Sequence, residues 1–301
     1  MTISAEIQAK AAEWLTSGDV ACVVGYERGT HGRTRPAFIY QGEDVARLIF
    51  DKTCTHNLTT YLPQLFNDGS LMKATHKLAP DASIAIITKP CDIRAINVLI
   101  GENQVSRERL KVIGVVCEGI LDGAGKRAFV ECEPIYTYQR RCRSCSERVP
   151  LVYDFLIGES VSPELVQEEE NLRGIQDLTT SERAKYWLAQ FDRCIRCYAC
   201  RQVCPLCNCP ACLYERDDSL WVGMGFGVDE KRTFHLGRAF HLAGRCVGCD
   251  ECERVCPMGL PISLLNRRLA QEIETMFGYR PGIKPAFSPL TSILQQEQGI
   301  P

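Results

Sequence analysis

The chain has 301 residues, 18 of them cysteine, with 35 basic against 37 acidic side chains and a formal net charge of −2. That balance excludes the broad basic surface used to bind nucleic acid. No apolar run approaches the roughly 18 residues needed to span a bilayer, and the polar start Met1–Lys10 with its early Glu6 does not read as a signal peptide. The expectation is a two-domain cytoplasmic protein, in which thiols at this density serve as metal ligands rather than disulfides.

The first half alternates strand-like and helix-like stretches. Ser83–Thr88 is a continuous apolar run, as expected of a strand buried on both faces. Pro90 then opens a predicted helix with Ile93, Ile96 and Leu99/Ile100 on one side, and Leu110–Val116 reads as a second strand. Strand, helix and strand form a unit of right-handed crossover size, so an α/β domain is predicted over residues 1–175. The segment Val161–Thr180, with Glu168-Glu169-Glu170, supplies the boundary.

This half holds seven cysteines. Cys91 follows Lys89-Pro90 at the predicted helix N-terminus, where backbone N–H groups favour a thiolate. Cys117 ends the next strand and therefore falls at the same carboxyl edge, where ligands bind in open α/β sheets. With the pair Cys142-Arg-Ser-Cys145 these make a candidate four-cysteine cluster site. Cys54 is the first substitute ligand, Cys132 stands behind it, and Cys22 is read as core. The alternative is a redox C-x2-C pair with two core thiols.

The second half is written differently. Thr179 and Glu182 make a capping box ahead of Ala184, Trp187, Leu188 and Phe191 at helical spacing. That helix leads into Cys194-Ile-Arg-Cys197-Tyr-Ala-Cys200-Arg-Gln-Val-Cys204-Pro205. The same spacing recurs 52 residues later in Cys246-Val-Gly-Cys249-Asp-Glu-Cys252-Glu-Arg-Val-Cys256-Pro257. C-x2-C-x2-C-x3-C-P is the run that two-cluster bacterial ferredoxins use, the fourth cysteine of each run ligating the other cluster. One 4Fe-4S cluster is thus expected on Cys194, Cys197, Cys200 and Cys256, and another on Cys246, Cys249, Cys252 and Cys204. Zinc, the competing metal, takes four ligands in two pairs and has no use for a third cysteine two residues on. Arg193, Arg196, Arg201, Arg245 and Arg254 flank the runs as candidate partners of the cluster charge, or as plain solvated arginines.

Cys207, Cys209 and Cys212 follow the first run as C-x-C-x2-C, either ligands of an additional cluster shared with the first half or buried thiols. Pro261 starts a helix with Ile262, Leu265, Leu269, Ile273 and Phe277 on its predicted apolar face. An α+β ferredoxin-like dicluster module with flanking helices is predicted over 176–278, followed by an extended proline-containing tail over 279–301. Gly223-Met-Gly-Phe-Gly227 lacks a dinucleotide fingerprint and reads as a turn. The stretch from Gly119 to Arg127 misses the phosphate-loop spacing. His31, His56, His76, His235 and His241 show no zinc-protease spacing, and Trp14, Trp187 and Trp221 read as core or interface residues. No catalytic residue is assigned.

Lys89-Pro-Cys91-Asp-Ile-Arg-Ala95, Val115-Val-Cys117-Glu-Gly119 and Cys142-Arg-Ser-Cys145 resemble the pattern in beta subunits of deazaflavin-dependent hydrogenases and formate dehydrogenases. His241–Cys246 and Cys256–Pro261 resemble the dicluster ferredoxin modules of anaerobic sulfite reductase and sulfhydrogenase subunits. The resemblance implies an electron-transfer subunit of a larger anaerobic oxidoreductase, with hydrogenase, formate dehydrogenase or heterodisulfide-reductase-like partners. It also implies FAD beside the clusters, although no flavin fingerprint is present. The alternative reading is a flavin-containing subunit that exchanges hydride with a soluble deazaflavin or nicotinamide carrier and feeds the clusters. A zinc-bearing interaction module is the third.

Overall fold

The computed structural model describes residues 2–67, 78–122, 128–130, 133–135, 138–159, 170–216, 223 and 225–291, so Cys132, His76 and Trp221 lie outside the described residues. Its contacts divide the chain into two units, Met1–Gln167 and Glu168–Pro301.

The first unit is built on a five-stranded sheet. Helix α1 (Ile3–Ser17) precedes β1 (Cys22–Arg28) and β2 (Thr34–Ile39); a short helix α2 (Leu62–Phe66) leads to β3 (Ile84–Thr88), α3 (Pro90–Gly101) and β4 (Leu110–Val115). A small antiparallel pair, β5 (Ala128–Val130) and β6 (Glu133–Ile135), lies apart from the main sheet, and β7 (Phe155–Ile157) completes it. The order is β2-β1-β3-β4-β7, parallel except for the edge strand β2. All five residues of β3 are buried, as its continuous apolar run requires. Ala85 and Ile87 join Ile7, Ala11 and Trp14 of α1 in one core, and the alternate residues Ile84 and Ile86 face the opposite side. There α3 buries Ile93, Ile96 and Leu99. Cys22, the first residue of β1, is fully buried, and burial pushes its thiol up to about 12.

Register fixes what the carboxyl edge carries. Thr88 of β3 pairs with Gly114 of β4. Three residues beyond each lie Cys91, in the first turn of α3, and Cys117.

Among the described residues the second unit is helical or irregular, and the strands expected of an α+β arrangement are not among them. Helix α4 (Arg140–Arg143) still belongs to the first unit; the second holds α5 (Glu170–Gln176), α6 (Thr180–Asp192), α7 (Ala199–Gln202), α8 (Val228–His241), α9 (Glu251–Arg254) and α10 (Ile262–Phe277). The capping box at the start of α6 is formed: Glu182 N–H donates to Thr179 Oγ1 at 3.3 Å, and Thr179 N–H to Glu182 Oε2 at 2.9 Å. Along α6 only Phe191 is buried, its ring stacked on His235 at 4.9 Å. The buried face of α10 differs from the expected one. Ile262, Ser263, Leu264, Asn266 and Ile273 are buried, whereas Leu265 and Leu269 are half-buried and Phe277 is exposed. The helix turns its small polar residues inward because Ser263 and Asn266 line a cysteine cavity rather than an apolar core. The start of the tail folds back on this unit, burying Pro281, Gly282 and Ser288, the last over Gly244.

Two packing features carry stability predictions. A side chain at Gly237 of α8 would overlap the hydroxyl end of Tyr214, a buried ring packed edge-on against Phe234 at 5.6 Å. Gly237→Ala is therefore expected to lower stability by about 1–3 kcal/mol, the usual cost of overpacking, measurable as a drop in thermal midpoint.

His235 is buried, neither ring nitrogen has a hydrogen-bond partner among the described residues, and burial beside Arg238 and Arg196 lowers its pKa to about 4 from the usual 6.5. Above pH 6.5 the ring is neutral in both folded and unfolded chains. As pH falls through the window toward 4, the unfolded chain takes up a proton that the folded one refuses. Stability then drops by up to about 3 kcal/mol. His235→Phe keeps the stacked ring and should flatten the acid limb of a stability-versus-pH curve between those values.

Candidate iron–sulfur sites

The duplicated cysteine runs adopt the same unusual backbone. Arg196 and Tyr198 have φ of 48° and 57°, and the residues 52 positions on, Gly248 and Asp250, have φ of 69° and 51°. Left-handed backbone at a non-glycine residue costs about 1–2 kcal/mol, and three of these four are not glycine. The conformation turns the chain between successive cysteines so that three thiols face one space. Arg196 is held in it from both ends: its N–H donates to Cys194 Sγ at 3.3 Å, and its guanidinium donates to Gly223 O at 2.6 Å and Gly225 O at 2.9 Å. The carbonyls of Gly223 and Gly225 thus hold Arg196.

Cys194, Cys197, Cys200 and Cys256 line one cavity together with Tyr198, Phe234 and Leu260. Cys246, Cys249, Cys252 and Cys204 line a second. In each, the fourth cysteine comes from the other run. Cys256 accepts a hydrogen bond from Leu260 N–H at 3.4 Å and adds its charge to those felt by Cys194 and Cys200. Cys204 does the same for Cys246, Cys249 and Cys252. Burial raises the thiols of Cys194, Cys246, Cys249 and Cys252, and pushes Cys200 up to about 11. Neutral thiols in such a pocket ionise when a metal replaces their protons.

The second cavity also contains polar atoms that its own walls do not satisfy. Asn266 Nδ2 and Oδ1 and Arg238 Nε are buried without a partner among the described residues. An orphaned donor facing a thiol-lined space suits a 4Fe-4S cluster, whose sulfurs accept hydrogen bonds. Among the described residues no three His, Cys, Asp or Glu side chains converge on one ion position.

Arg238 is the residue that the sequence pattern did not single out. It is 3% exposed, donates from Nη2 to Cys200 O at 3.0 Å, and lines the second cavity. Burial works against its charge, but negative charge on the neighbouring Cys204, Cys207, Cys252 and Cys200 outweighs it and raises its pKa well above the ordinary value. The flanking arginines are mostly engaged elsewhere. Arg193 reaches Met258 O at 2.5 Å, Arg254 pairs with Glu251 at 2.7 Å, and Arg201 donates to Cys209 O at 2.8 Å. The signal for Arg238 was its place four residues after Phe234, on the inward stripe of α8.

In the first unit the edge-register argument holds. Cys91 and Cys117 are electrostatic neighbours, and Cys117 in turn feels Cys142 and Cys145. Cys142 Sγ accepts from Ile120 N–H at 3.3 Å, and Cys145 is within 3.1 Å of Glu147 O. Gly119 takes a φ of 126°, and a side chain there would strike the ring of Tyr138. Behind this group Lys89 is wholly buried, its Nζ 3.0 Å from Asp92 and 2.8 Å from His56 O and in contact with Tyr26 Oη. Arg141, also buried, donates to Thr55 O at 2.8 Å. Burial and Asp92 raise the Cys91 thiol, while Arg141 and Lys89 oppose them. Cys54 lies on the Lys89 side, where its Sγ accepts from Asp51 N–H at 3.4 Å.

The N-terminus of α3, where an α/β fold offers N–H groups to a pyrophosphate, is capped by the Asp92 carboxylate. It follows Lys89-Pro90 rather than a glycine turn.

Residues 193–261 match the family described as a 4Fe-4S dicluster domain. The chain is 23% identical over 303 residues to the F420-dependent formate dehydrogenase subunit beta of Methanocaldococcus jannaschii, covering 73% of this chain and 79% of that protein. It is 25% identical over 333 residues to the F420-dependent formate dehydrogenase 1 subunit beta of Methanococcus maripaludis, covering 82% of each. A shorter match, 28% over 120 residues, covers 39% of this chain and 13% of the acetyl-CoA decarbonylase/synthase complex subunit alpha 1 of Methanosarcina mazei. No helix among the described residues is long and apolar enough to cross a membrane. The chain is a homologue of F420-dependent formate dehydrogenase beta subunits that carries a 4Fe-4S dicluster domain.

Proposed function

We propose that this chain is an iron–sulfur electron-transfer subunit of a formate-dehydrogenase-type oxidoreductase, working beside other subunits of that complex. The observation that carries the reading is the pair of cavities, each lined by four cysteines drawn from both runs. Cys194, Cys197, Cys200 and Cys256 would hold one 4Fe-4S cluster, and Cys246, Cys249, Cys252 and Cys204 the other. Cys91, Cys117, Cys142 and Cys145 would hold one more in the first unit. Such clusters supply one-electron transfer when bound. The protein keeps water from them with Phe234, Leu260 and Leu242, and offers N–H donors to their sulfurs. Cys197 is exposed and Ile195 beside it is 49% exposed, so that edge is where an external redox partner approaches the first cavity.

Iron and acid-labile sulfide measured on the anaerobically purified chain, with EPR after reduction, test this. The reading requires at least about eight iron atoms per chain; zinc alone would overturn it. The names of the two beta-subunit relatives keep the flavin alternative open to a direct check. A flavin absorption spectrum in the isolated chain, with steady-state reduction by a deazaflavin or nicotinamide donor, would favour a hydride-exchanging subunit instead.

A further inference from the structure

Three arginines are buried among the described residues, and each stands at a group of four cysteines. Arg196 lies inside the first run, and Arg238 lies on the wall of the second cavity. Arg141 directly precedes Cys142 in α4, and a further buried cation, Lys89, stands two residues before Cys91. The first unit thus sets two cations behind one group of thiols.

Their seat is built from consecutive carbonyls of one loop. Thr55 O accepts from Arg141 Nη2 at 2.8 Å, and His56 O accepts from Lys89 Nζ at 2.8 Å. Lys89 Nζ also donates to Tyr26 Oη, whose hydroxyl donates in turn to His56 O at 2.6 Å. Asp92 closes the frame. Its Oδ2 lies 3.0 Å from Lys89 Nζ and accepts from Lys89 N–H at 2.9 Å, while its Oδ1 is 3.9 Å from Cys91 Sγ. Lys89, Asp92 and Tyr26 are fully buried. A buried ion pair is weak evidence of stabilisation, and charges held this far from water act on the thiols with little screening. Burial and Asp92 push the Cys91 thiol up, and Arg141 and then Lys89 pull it down. Cys117, pushed up by burial to about 11, is drawn down by Lys89 as well.

We infer that Arg141 and Lys89 act as fixed positive charges that make the cluster on Cys91, Cys117, Cys142 and Cys145 easier to reduce, with Asp92 holding Lys89 in place and offsetting it. Reduction brings in one electron from a one-electron carrier of the complex and makes the cluster more negative by one charge. No bond forms or breaks, and no proton moves. A nearby cation therefore favours the reduced form and a nearby carboxylate the oxidised one. Lys89 and Asp92 largely cancel, so Arg141 is the charge whose removal counts. The inference rests on reading these four cysteines as a cluster site.

The test is EPR-monitored redox titration of the anaerobically purified full chain beside Arg141→Gln, Arg141→Lys and Lys89→Met/Asp92→Asn. The first-unit signal is the one absent from Cys142→Ser/Cys145→Ser. Arg141→Gln should make reduction of that cluster about tenfold less favourable, a fall of about 59 mV in its midpoint, and Arg141→Lys should recover most of it. Lys89→Met/Asp92→Asn removes one charge of each sign and should stay closer to the wild-type midpoint than Arg141→Gln does. Equal first-unit midpoints in wild type and Arg141→Gln overturn the inference. So does a fall in the paired variant as large as that in Arg141→Gln, which would make the hydrogen-bonded frame responsible and not the charge. If Arg141→Gln holds no first-unit iron, the lysine variant decides: retained iron supports the charge, and lost iron makes Arg141 a structural prop and overturns the inference. Wild-type iron in Cys142→Ser/Cys145→Ser would instead overturn the first-unit cluster itself, so the two failures are distinguishable.

Discussion

Cys194→Ala/Cys256→Ala is expected to damage a single cluster, and Cys246→Ala/Cys256→Ala two. Residues 194 and 256 stand far apart in sequence but line one cavity, whereas residues 246 and 256 share a run and line different cavities. Iron per chain should therefore fall by about four in the first pair and about eight in the second. Ligation within each run would reverse the two results. The complementary pairs, Cys246→Ala/Cys204→Ala and Cys194→Ala/Cys204→Ala, repeat the test from the other cavity. The comparison holds even where a variant site keeps a three-iron remnant, because the count that matters is of EPR signals altered: one or two.

The effect is large because the other side chains lining each cavity are poorer iron ligands than a thiolate, and Asp250 and Glu251 of the second are engaged by Arg267 and Arg254. In the first, Phe234, Leu260 and Ile262 offer no ligand, and Tyr198 and Met258 offer only a phenol and a thioether, weaker ligands than a thiolate. In the second, Ser263 is already hydrogen-bonded to Glu253 at 2.6 Å, and Asn266 is a weak ligand for iron beside thiolates. Cys207, in contact with Cys204, is the one thiol near enough to substitute. Cys204→Ala is thus expected to be milder than Cys256→Ala.

How much of this was legible beforehand depended on whether the information was local. The two runs are local patterns that match a known ferredoxin arrangement, so that likeness groups their cysteines across the runs. The β3–α3–β4 crossover was legible for the same reason, since burial on both faces writes a continuous apolar run into Ile84–Thr88. From the ends of those strands, the register of the parallel pair placed Cys91 and Cys117 together. What could not be read was the inner face of α10. A cavity lined by Ser263 and Asn266 inverts the rule that helices bury their apolar stripe. Arg238 was hidden likewise, because an arginine one turn after a buried phenylalanine looks like a charge at a helix C-terminus until the wall of a cavity is found there. The module's helices were visible, but the arrangement of its remaining chain depends on contacts that spacing does not encode.

Arg238→Gln should shift reduction potentials more than any other single substitution outside the ligands. The side chain is a cation with almost no access to water, hydrogen-bonded to the carbonyl of Cys200 from the first cavity and lining the second. A reduced cluster carries one more negative charge than its oxidised form, so a fixed positive charge nearby favours reduction. At a separation of about 6–8 Å and an effective dielectric of about 20, the interaction is worth roughly 2–3 kcal/mol. For one electron that corresponds to about 90–120 mV. Removing the charge is expected to lower the midpoint of the Cys246/Cys249/Cys252/Cys204 cluster by that order, and that of the Cys194/Cys197/Cys200/Cys256 cluster by less, because Arg238 meets its cavity only through a backbone carbonyl. Arg238→Lys keeps the charge and should recover most of the shift, losing the donor that Nε offers. EPR-monitored redox titration of the three proteins decides the matter. Equal midpoints in wild type and Arg238→Gln would mean that the buried guanidinium holds the Cys200 turn in place and leaves the potentials alone. An unequal shift between the two clusters would steepen or flatten the potential step between them, and so fix the preferred direction of electron flow through the unit.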